Sequence, residues 1–378
     1  MKEAAYWIAL AHLPRWGYLK INNIIIKFFH ENKSTIEEFF QLSENDWKSQ
    51  YGLENKEVED LKKSKSELAN NAFLAESLYN EGYELIPITS QDYSKTLKDN
   101  LKAAHAPSLL YVKGNKKILH EKSIAIVGSR NAADNSLKFA DNIAKLASTE
   151  YKVVVSGFAK GIDKQALDSA IKYKGQSIIV LPQGIMTFGS GFKTYYKQII
   201  DGDVLVLSTF FPKAPWKAEL AMARNPIIYG LANEIYVAES SEKGGTWSGV
   251  IDGLRKNRKI FVRKPEASEN NANNLLIRKG AVPVNFSGNL IKDFECIEII
   301  DTTSVANDPL VNYENIIFEL LKTGEYAVKD ILKKLQLNWT EKKLRDFLKV
   351  QKEVEAINKK PMRFTMQKHG IKQKSLFD

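Results

Sequence analysis

The middle of the chain alternates between short apolar runs and longer amphipathic stretches. The apolar runs are rich in valine and isoleucine at consecutive positions, which is typical of strands buried on both faces of a sheet. They lie at 83–88, 108–112, 123–127, 152–156, 177–181, 203–207, 234–238 and 259–262. The amphipathic stretches predict helices near 135–149, 163–173, 190–201, 216–223 and 246–256. This alternation predicts an α/β fold, a parallel sheet with helices on both faces, over residues 76–300.

The first 75 residues have a purely helical pattern. Apolar residues from Tyr6 to Leu13 recur at helical spacing, and Pro14 ends that run. Ser34, followed by Glu37 three residues later, predicts a capping box at the start of another helix. We interpret 1–75 as a small helical module, SAM or helix-hairpin-helix-like, that serves packing or dimerisation. It lacks a clear hairpin GxG motif, so we do not assign DNA binding to it.

The C-terminal part is predicted to be a separate basic domain. Residues 301–309 have the composition of a linker. Beyond them, 310–378 show three apolar helical stripes followed by a strand pair around 354–357 and 363–366, which is the order of a winged helix. Two roles remain open for it, a helix at 340–350 placed in a DNA groove and a protein-contact surface.

The chain carries a net charge of +10, which predicts a polyanionic partner, with a merely basic surface as the alternative. The last 69 residues hold 15 Lys and Arg against 9 Asp and Glu, so they contain more than half of the excess. Six of these cations lie near the end, at Lys359, Lys360, Arg363, Lys368, Lys372 and Lys374.

Composition also excludes several classes of protein. The single cysteine, Cys296, excludes an intrachain disulfide and a cysteine-built metal site. No run approaches the roughly 18 apolar residues that a membrane span needs. The N-terminus lacks the apolar segment of a secretory signal. We therefore expect a cytoplasmic protein with no membrane partner and no metal.

Glycine, hydroxyl and cationic residues follow five of the predicted strands. Glycine lets the backbone approach a ligand closely, a helix N-terminus offers free N–H groups to an anion, and arginine can hold a phosphate with two hydrogen bonds. Because the carboxyl ends of parallel strands meet at one edge of a sheet, these residues predict a phosphate-binding crevice. A strand-ending turn with a solvated arginine is the alternative for the first group. The predicted site residues are Gly128, Ser129, Arg130, Ser156, Gly157, Lys160, Gly161, Gly184, Arg224, Asn225, Lys243, Gly244, Gly245 and Thr246.

The motifs that are missing limit the chemistry of this crevice. There is no GxGxxG after the first strand and no GxxxxGK[ST], which argues against an ordinary NAD site and a nucleoside triphosphatase. Neither an HExxH motif nor a Ser-His-Asp arrangement is recognisable. Asp163 is expected to cap the helix that follows it. We therefore predict no catalytic residue and no cofactor, and a crevice that binds rather than breaks bonds.

Five motifs in order resemble the DNA-processing protein A (DprA/Smf) family over about 80–300. They are AIVGSR (125–130), VVVSGFAKGID (153–163), ARNPIIYGLANEIYVAES (223–240), GGTWSG (244–249) and NNLLIRKGAVPV (273–284). The resemblance implies a Rossmann-like core, single-stranded DNA binding, a homodimer, and loading of the RecA recombinase in natural transformation (competence). It makes Arg130, Lys160 and Arg224 the expected DNA contacts. The cradle it implies is Gly128, Ser129, Ser156, Gly157, Gly161 and Asn225.

The chain also departs from the family pattern. Gln183 stands before Gly184 where a cysteine is usual, Pro226 where the family has an arginine, and Leu167 where it has a histidine. Gly244-Gly245-Thr246 replaces a Ser-Gly-Ser. These changes leave a role outside competence open. A nucleotide sensor and a nucleotide-processing enzyme are the alternative functions, although no carboxylate follows the glycine pair at 247–250, where related phosphoribohydrolases place theirs.

Overall fold

The computed structural model describes residues 3–291, 313–335, 340–351, 354–357 and 362–366. The chain forms two compact units, Met1–Phe294 and Glu295–Asp378. The predicted linker 301–309 lies outside the described residues. No helix among the described ranges is both long and apolar enough to cross a membrane.

A nine-stranded sheet runs through the first unit. Its strands are β1 (Glu84–Pro87), β2 (Leu109–Lys113), β3 (Ser123–Gly128), β4 (Val153–Ser156), β5 (Ser177–Val180), β6 (Val204–Ser208), β7 (Glu234–Glu239), β8 (Ile260–Arg263) and β9 (Val282–Val284). Their order is β1-β2-β6-β5-β4-β3-β7-β8-β9. Strands β3 to β9 pair in parallel, whereas β1 and β2 are antiparallel to their neighbours.

Fifteen α-helices accompany this sheet in the described part of the first unit. They are α1 (Ala4–Ala11), α2 (Tyr18–Ile25), α3 (Ile36–Gln41), α4 (Glu44–Tyr51), α5 (Asn55–Ser66), α6 (Leu68–Asn80), α7 (Lys95–His105), α8 (Asp134–Thr149), α9 (Ile162–Lys172), α10 (Gly189–Thr194), α11 (Tyr196–Ile200), α12 (Ala218–Ala223), α13 (Asn225–Leu231), α14 (Gly245–Arg255) and α15 (Asn273–Arg278). A π-helix (Ile26–Glu31) and two 3₁₀ turns (Lys116–His120 and Ile185–Thr187) complete the set.

Helices lie against both faces of the sheet. On one face the hydroxyl of Ser123 on β3 donates to Leu231 O of α13 (2.7 Å), and on the other face lie two apolar clusters. Ile124 and Ile126 of β3 pack with α8 and α9 in one cluster. Val204 and Val206 of β6 belong to another, which includes apolar residues of α1 to α6. The predicted α/β class, with a mostly parallel sheet covered by helices, is therefore confirmed. The predicted helix 190–201 is instead two short helices that meet at Tyr195.

The N-terminal helices lie in the same compact unit as the sheet. His12 Nε2 is 2.9 Å from Tyr111 Oη on β2, and the two rings stack. The cap of α3 is Thr35 with Glu38, one residue later than the predicted Ser34 and Glu37. The backbone N–H of Ser34 donates instead to Phe28 O, just beyond the π-helix, and so is not available to the Glu37 carboxylate. The predicted boundary near residue 75 stays a prediction.

The second unit contains three helices and a three-stranded sheet among its described residues. The elements are α16 (Tyr313–Lys322), β10 (Tyr326–Ala327), α17 (Val328–Lys334), α18 (Glu341–Val350), β11 (Val354–Ile357) and β12 (Arg363–Met366). The sheet order is β10-β12-β11, and a small core lies around Ile317, Leu344 and Phe364. The winged-helix assignment of 310–378 stays a prediction. Five of its six terminal cations, all but Arg363, lie outside the described residues.

Candidate functional site

The candidate site lies where the strand order reverses. From β3 the chain moves outward to β4 and β5 on one side, and β7 and β8 lie on the other, so the point between β3 and β7 is the topological switch point. The backbone N–H of Ser129 donates to Glu239 O across this point (3.0 Å). A cavity of 440 Å³ opens there, which we call the switch-point cavity. Its lining includes nine of the predicted site residues: Gly128, Ser129, Arg130, Arg224, Asn225, Lys243, Gly244, Gly245 and Thr246.

Helix α14 directs its N-terminus into this cavity. The helix begins at Gly245, and the preceding Gly244 has a φ of 101°, which favours glycine. Ser248 N–H donates to Gly244 O as the first bond of the helix, so the N–H groups before it have no partner within α14. Thr246 Oγ1 donates to Gly128 O (3.1 Å) and ties this helix end to the end of β3. The positive end of the helix dipole therefore faces the cavity.

Arg224 is buried in the wall of the switch-point cavity, with 3% of its surface exposed. Its Nη2 lies 3.6 Å from Oδ2 of Asp163, which is also buried. Its Nε and Nη1 have no hydrogen-bond acceptor among the described residues. Burial lowers the pKa of the Arg224 guanidinium, and the neighbouring Asp163 carboxylate opposes that shift. A buried cationic donor without acceptors is costly in the free protein, so this guanidinium is ready to receive an anion.

Two predicted glycines make room for these groups. A Cβ on Gly157 would lie 1.2 Å from Nη1 of Arg224, so the guanidinium packs directly on the glycine backbone. Gly161 has a φ of 84°, and a Cβ there would lie 2.4 Å from Ser129 O. The turn between β4 and α9 therefore closes tightly onto the turn after β3.

The predicted capping role of Asp163 is wrong. The N-cap of α9 is Gly161, without a side-chain hydrogen bond, and Asp163 lies within the first turn. Its carboxylate instead pairs with Arg224. Positive φ values at Phe158 and Gly161 fold the turn between β4 and α9 back on itself. Burial raises the pKa of Asp163, and the Arg224 charge opposes this shift.

Two more cavities adjoin the switch-point cavity and share Arg130 with it. The second has a volume of 330 Å³ and is lined by Arg224, Lys160, Phe158 and the half-exposed Trp216, among others. The third has a volume of 470 Å³ and is lined by Lys160 and Gly161, among others. We call the three together the cationic groove. Its central side chains, Arg130 and Lys160, are exposed to solvent.

Two predicted site residues do not line the cationic groove. Ser156 is fully buried, and its hydroxyl donates to Ile126 O on the neighbouring strand (3.1 Å). A Cβ on Gly184 would lie 2.3 Å from the backbone oxygens of Phe211 and Pro212, so this glycine accommodates the loop after β6. Both residues were predicted to contact the ligand, and the structure gives them contacts within the protein instead. A strand-end pattern cannot distinguish a hydroxyl directed into the sheet from one directed at a ligand.

Sequence reasoning missed several groove residues. Tyr229 lies one turn after Asn225 on α13, and its hydroxyl donates to Thr246 O (3.4 Å). Spacing on that helix could have indicated it. Trp216 carries no motif, and its exposure is visible only in three dimensions.

The chain matches known proteins along most of its first unit. The family model of DNA recombination-mediator protein A matches residues 84–295. The DNA processing protein DprA of Streptococcus pneumoniae is 31% identical over 193 residues, covering 50% of this chain and 68% of that relative. DprA of Bacillus subtilis is 30% identical over 184 residues, covering 48% of this chain and 61% of that relative.

A solved structure agrees with the fold. The X-ray structure of DprA from S. pneumoniae superposes with a TM-score of 0.59 at 24% identity, covering 77% of this chain and 96% of that one. The family model spans more than half of the chain and includes β3 to β9 and all the residues of the cationic groove. The chain therefore belongs to the DNA recombination-mediator protein A family.

Proposed function

We propose that this protein binds single-stranded DNA along the cationic groove and acts as a recombination mediator in DNA uptake and transformation. The observation that carries the proposal is the buried Arg224, whose Nε and Nη1 lack acceptors and which lies beside the exposed Arg130 and Lys160. Three cations in adjoining cavities suit a ligand with a negative charge at each repeat. The family description supports the recombination role.

The proposal extends to partners and chemistry. The family relationship, together with the motif resemblance, supports a homodimer that loads the RecA recombinase. The groove binds DNA and breaks no bond, and no cofactor is needed.

The aromatic side chains in the groove favour a single strand over a duplex. Phe158 lies in its wall and packs edgewise on Phe188 and Tyr195, with ring centroids 4.9 and 5.7 Å away. Trp216 lines the same cavity with half of its surface exposed. Unstacked bases can stack on such rings, at about 1–3 kcal/mol each, whereas the bases of a duplex are already stacked.

Titration of labelled oligo-dT against wild type, Arg130→Ala and Lys160→Ala tests the proposal. Each substitution removes a charge-assisted phosphate contact, so we expect about a tenfold loss of affinity. Lys197→Ala is the matched control, because Lys197 is exposed on α11 and does not line the groove. Equal affinity for all four proteins would reject the groove as the DNA site.

A further inference from the structure

We infer that the switch-point cavity is a phosphomonoester subsite, one that takes the terminal phosphate of a strand or nucleotide in preference to an internal phosphodiester. This inference builds on the proposed function and names the part of the DNA that one end of the cationic groove holds. It stands on two independent features, the N-terminus of α14 and the buried guanidinium of Arg224, which line the same cavity.

The charge of the cavity matches a dianion. Its charged lining residues are Arg130, Arg224 and Lys243 against Asp163, which leaves an excess of 3 − 1 = 2 positive charges. A phosphomonoester carries close to two negative charges near pH 7, because its second pKa is about 6. An internal phosphodiester carries one. The monoester therefore neutralises the cavity, whereas the diester leaves one positive charge uncompensated.

The lining of the switch-point cavity supplies several hydrogen-bond donors for phosphate oxygens. The buried Arg224 guanidinium lies in the cavity wall, and α14 offers the free N–H groups of its first turn. The Lys243 ammonium and the Ser129 hydroxyl line the same space. A monoester has three non-bridging oxygens to receive these donors, and a diester has two. Asp163 pairs with Nη2 of the guanidinium, and Nε and Nη1 have no acceptor among the described residues.

The neighbouring cavities give a strand one direction in which to continue. On its Arg130 side the switch-point cavity adjoins both the 330 Å³ and the 470 Å³ cavities of the groove. On the Asn225 and Tyr229 side the adjoining cavity measures only 150 Å³ and is mostly apolar. Small-ligand pockets are usually about 300–1,000 Å³, so the smaller space does not fit a further nucleotide. A strand that fills the groove therefore ends in the switch-point cavity.

The test compares oligo-dT of about 12 nucleotides carrying a 5′-phosphate, a 3′-phosphate or no terminal phosphate, and separately compares dTMP with thymidine. We expect the phosphorylated strand to bind roughly tenfold more tightly than the unphosphorylated one. Lys243→Ala should lose most of that preference, and Lys197→Ala should keep it. If only one of the two phosphorylated strands gains affinity, that result identifies the end of the strand that the cavity holds. If dTMP binds as tightly as the strand, the ligand of the cavity is a free nucleotide.

The outcomes separate this inference from the proposed function. Equal binding of all three strands, together with equal binding of dTMP and thymidine, overturns the phosphomonoester subsite while DNA binding stands. Preferential binding of dTMP by a protein that binds no strand supports the subsite and rejects the DNA role. A preference that survives Lys243→Ala undiminished places the phosphate elsewhere and also overturns the inference.

Discussion

Removing the charge of Asp163 is predicted to destabilise the free protein and to tighten anion binding at once. Asp163 and Arg224 are both buried and lie 3.6 Å apart. At that separation and an effective dielectric constant of about 20, their attraction is about 5 kcal/mol. Breaking a buried pair by removing one partner typically costs about 3–5 kcal/mol, because the other charge stays buried without compensation. Asp163→Asn should therefore lower the free energy of unfolding by about 3–5 kcal/mol.

An anion in the switch-point cavity should recover part of that loss. Urea unfolding of wild type and Asp163→Asn, with and without 5′-phosphorylated oligo-dT, measures both effects. We expect the ligand to stabilise the variant more than the wild type, because it compensates the isolated Arg224 charge. Asp252→Asn is the matched control, since its pair with Lys256 is exposed and worth about 0–1 kcal/mol. An Asp163→Asn protein as stable as wild type, or one that the ligand stabilises no further, would refute the reasoning.

Three more predictions concern other groups of the first unit. Gly157→Ala displaces the Arg224 guanidinium, so oligo-dT affinity should fall about tenfold in a titration. The Arg263 guanidinium lowers the pKa of Glu269 from 4.5 to about 2. The ionised Glu269 carboxylate therefore stabilises the fold above pH 4.5, and this contribution to the free energy of unfolding is lost as the pH falls toward 2. Arg263→Met should abolish this pH dependence of stability in urea unfolding. Burial lowers the pKa of His12 from 6.5 to about 4. The free energy of unfolding should therefore fall as the pH is lowered from 6.5 to 4, and His12→Phe should remove that fall.

Each of these has a control or a contradicting result. Gly189→Ala is the matched glycine change, because nothing lies within 4 Å of its Cβ position. Unchanged DNA affinity in Gly157→Ala would mean that Arg224 does not contact the ligand. The His12 effect stays below about 3 kcal/mol, since the ring is partly exposed. Stability that is flat with pH in wild type between 6.5 and 4 would contradict the lowered pKa of the His12 imidazole.

The sequence predicted the sheet well because its strands are consecutive apolar runs with few other interpretations. Strand β9 was missed for a physical reason: it has three residues, one of them Pro283, and Val282 is 39% exposed. The antiparallel pairing of β1 with β2 was also missed, since an apolar run does not encode strand direction. Local pattern therefore predicts strands and leaves edge pairing open.

The sequence predicted most of the residues of the candidate site, but it did not predict which of them are buried or paired with one another. Nine predicted residues come together because parallel strand ends and helix N-termini share one edge of the sheet. The burial of Arg224 and its pairing with Asp163 depend on a turn with positive φ at Phe158, a conformation that the sequence does not signal. Ser156 was misassigned because a buried hydroxyl and a ligand-facing hydroxyl look alike in sequence.

The salt dependence of oligo-dT binding tests most directly whether the cationic groove holds phosphates. Each single-strand phosphate that is neutralised contributes about −0.7 to the slope of log affinity against log salt concentration, so Arg130, Lys160 and Arg224 together predict a slope of about −2. Lys160→Ala should reduce the steepness by about 0.7, and Lys197→Ala should leave it unchanged. A slope near zero in wild type, or one that Lys160→Ala does not alter, would contradict phosphate binding in the groove.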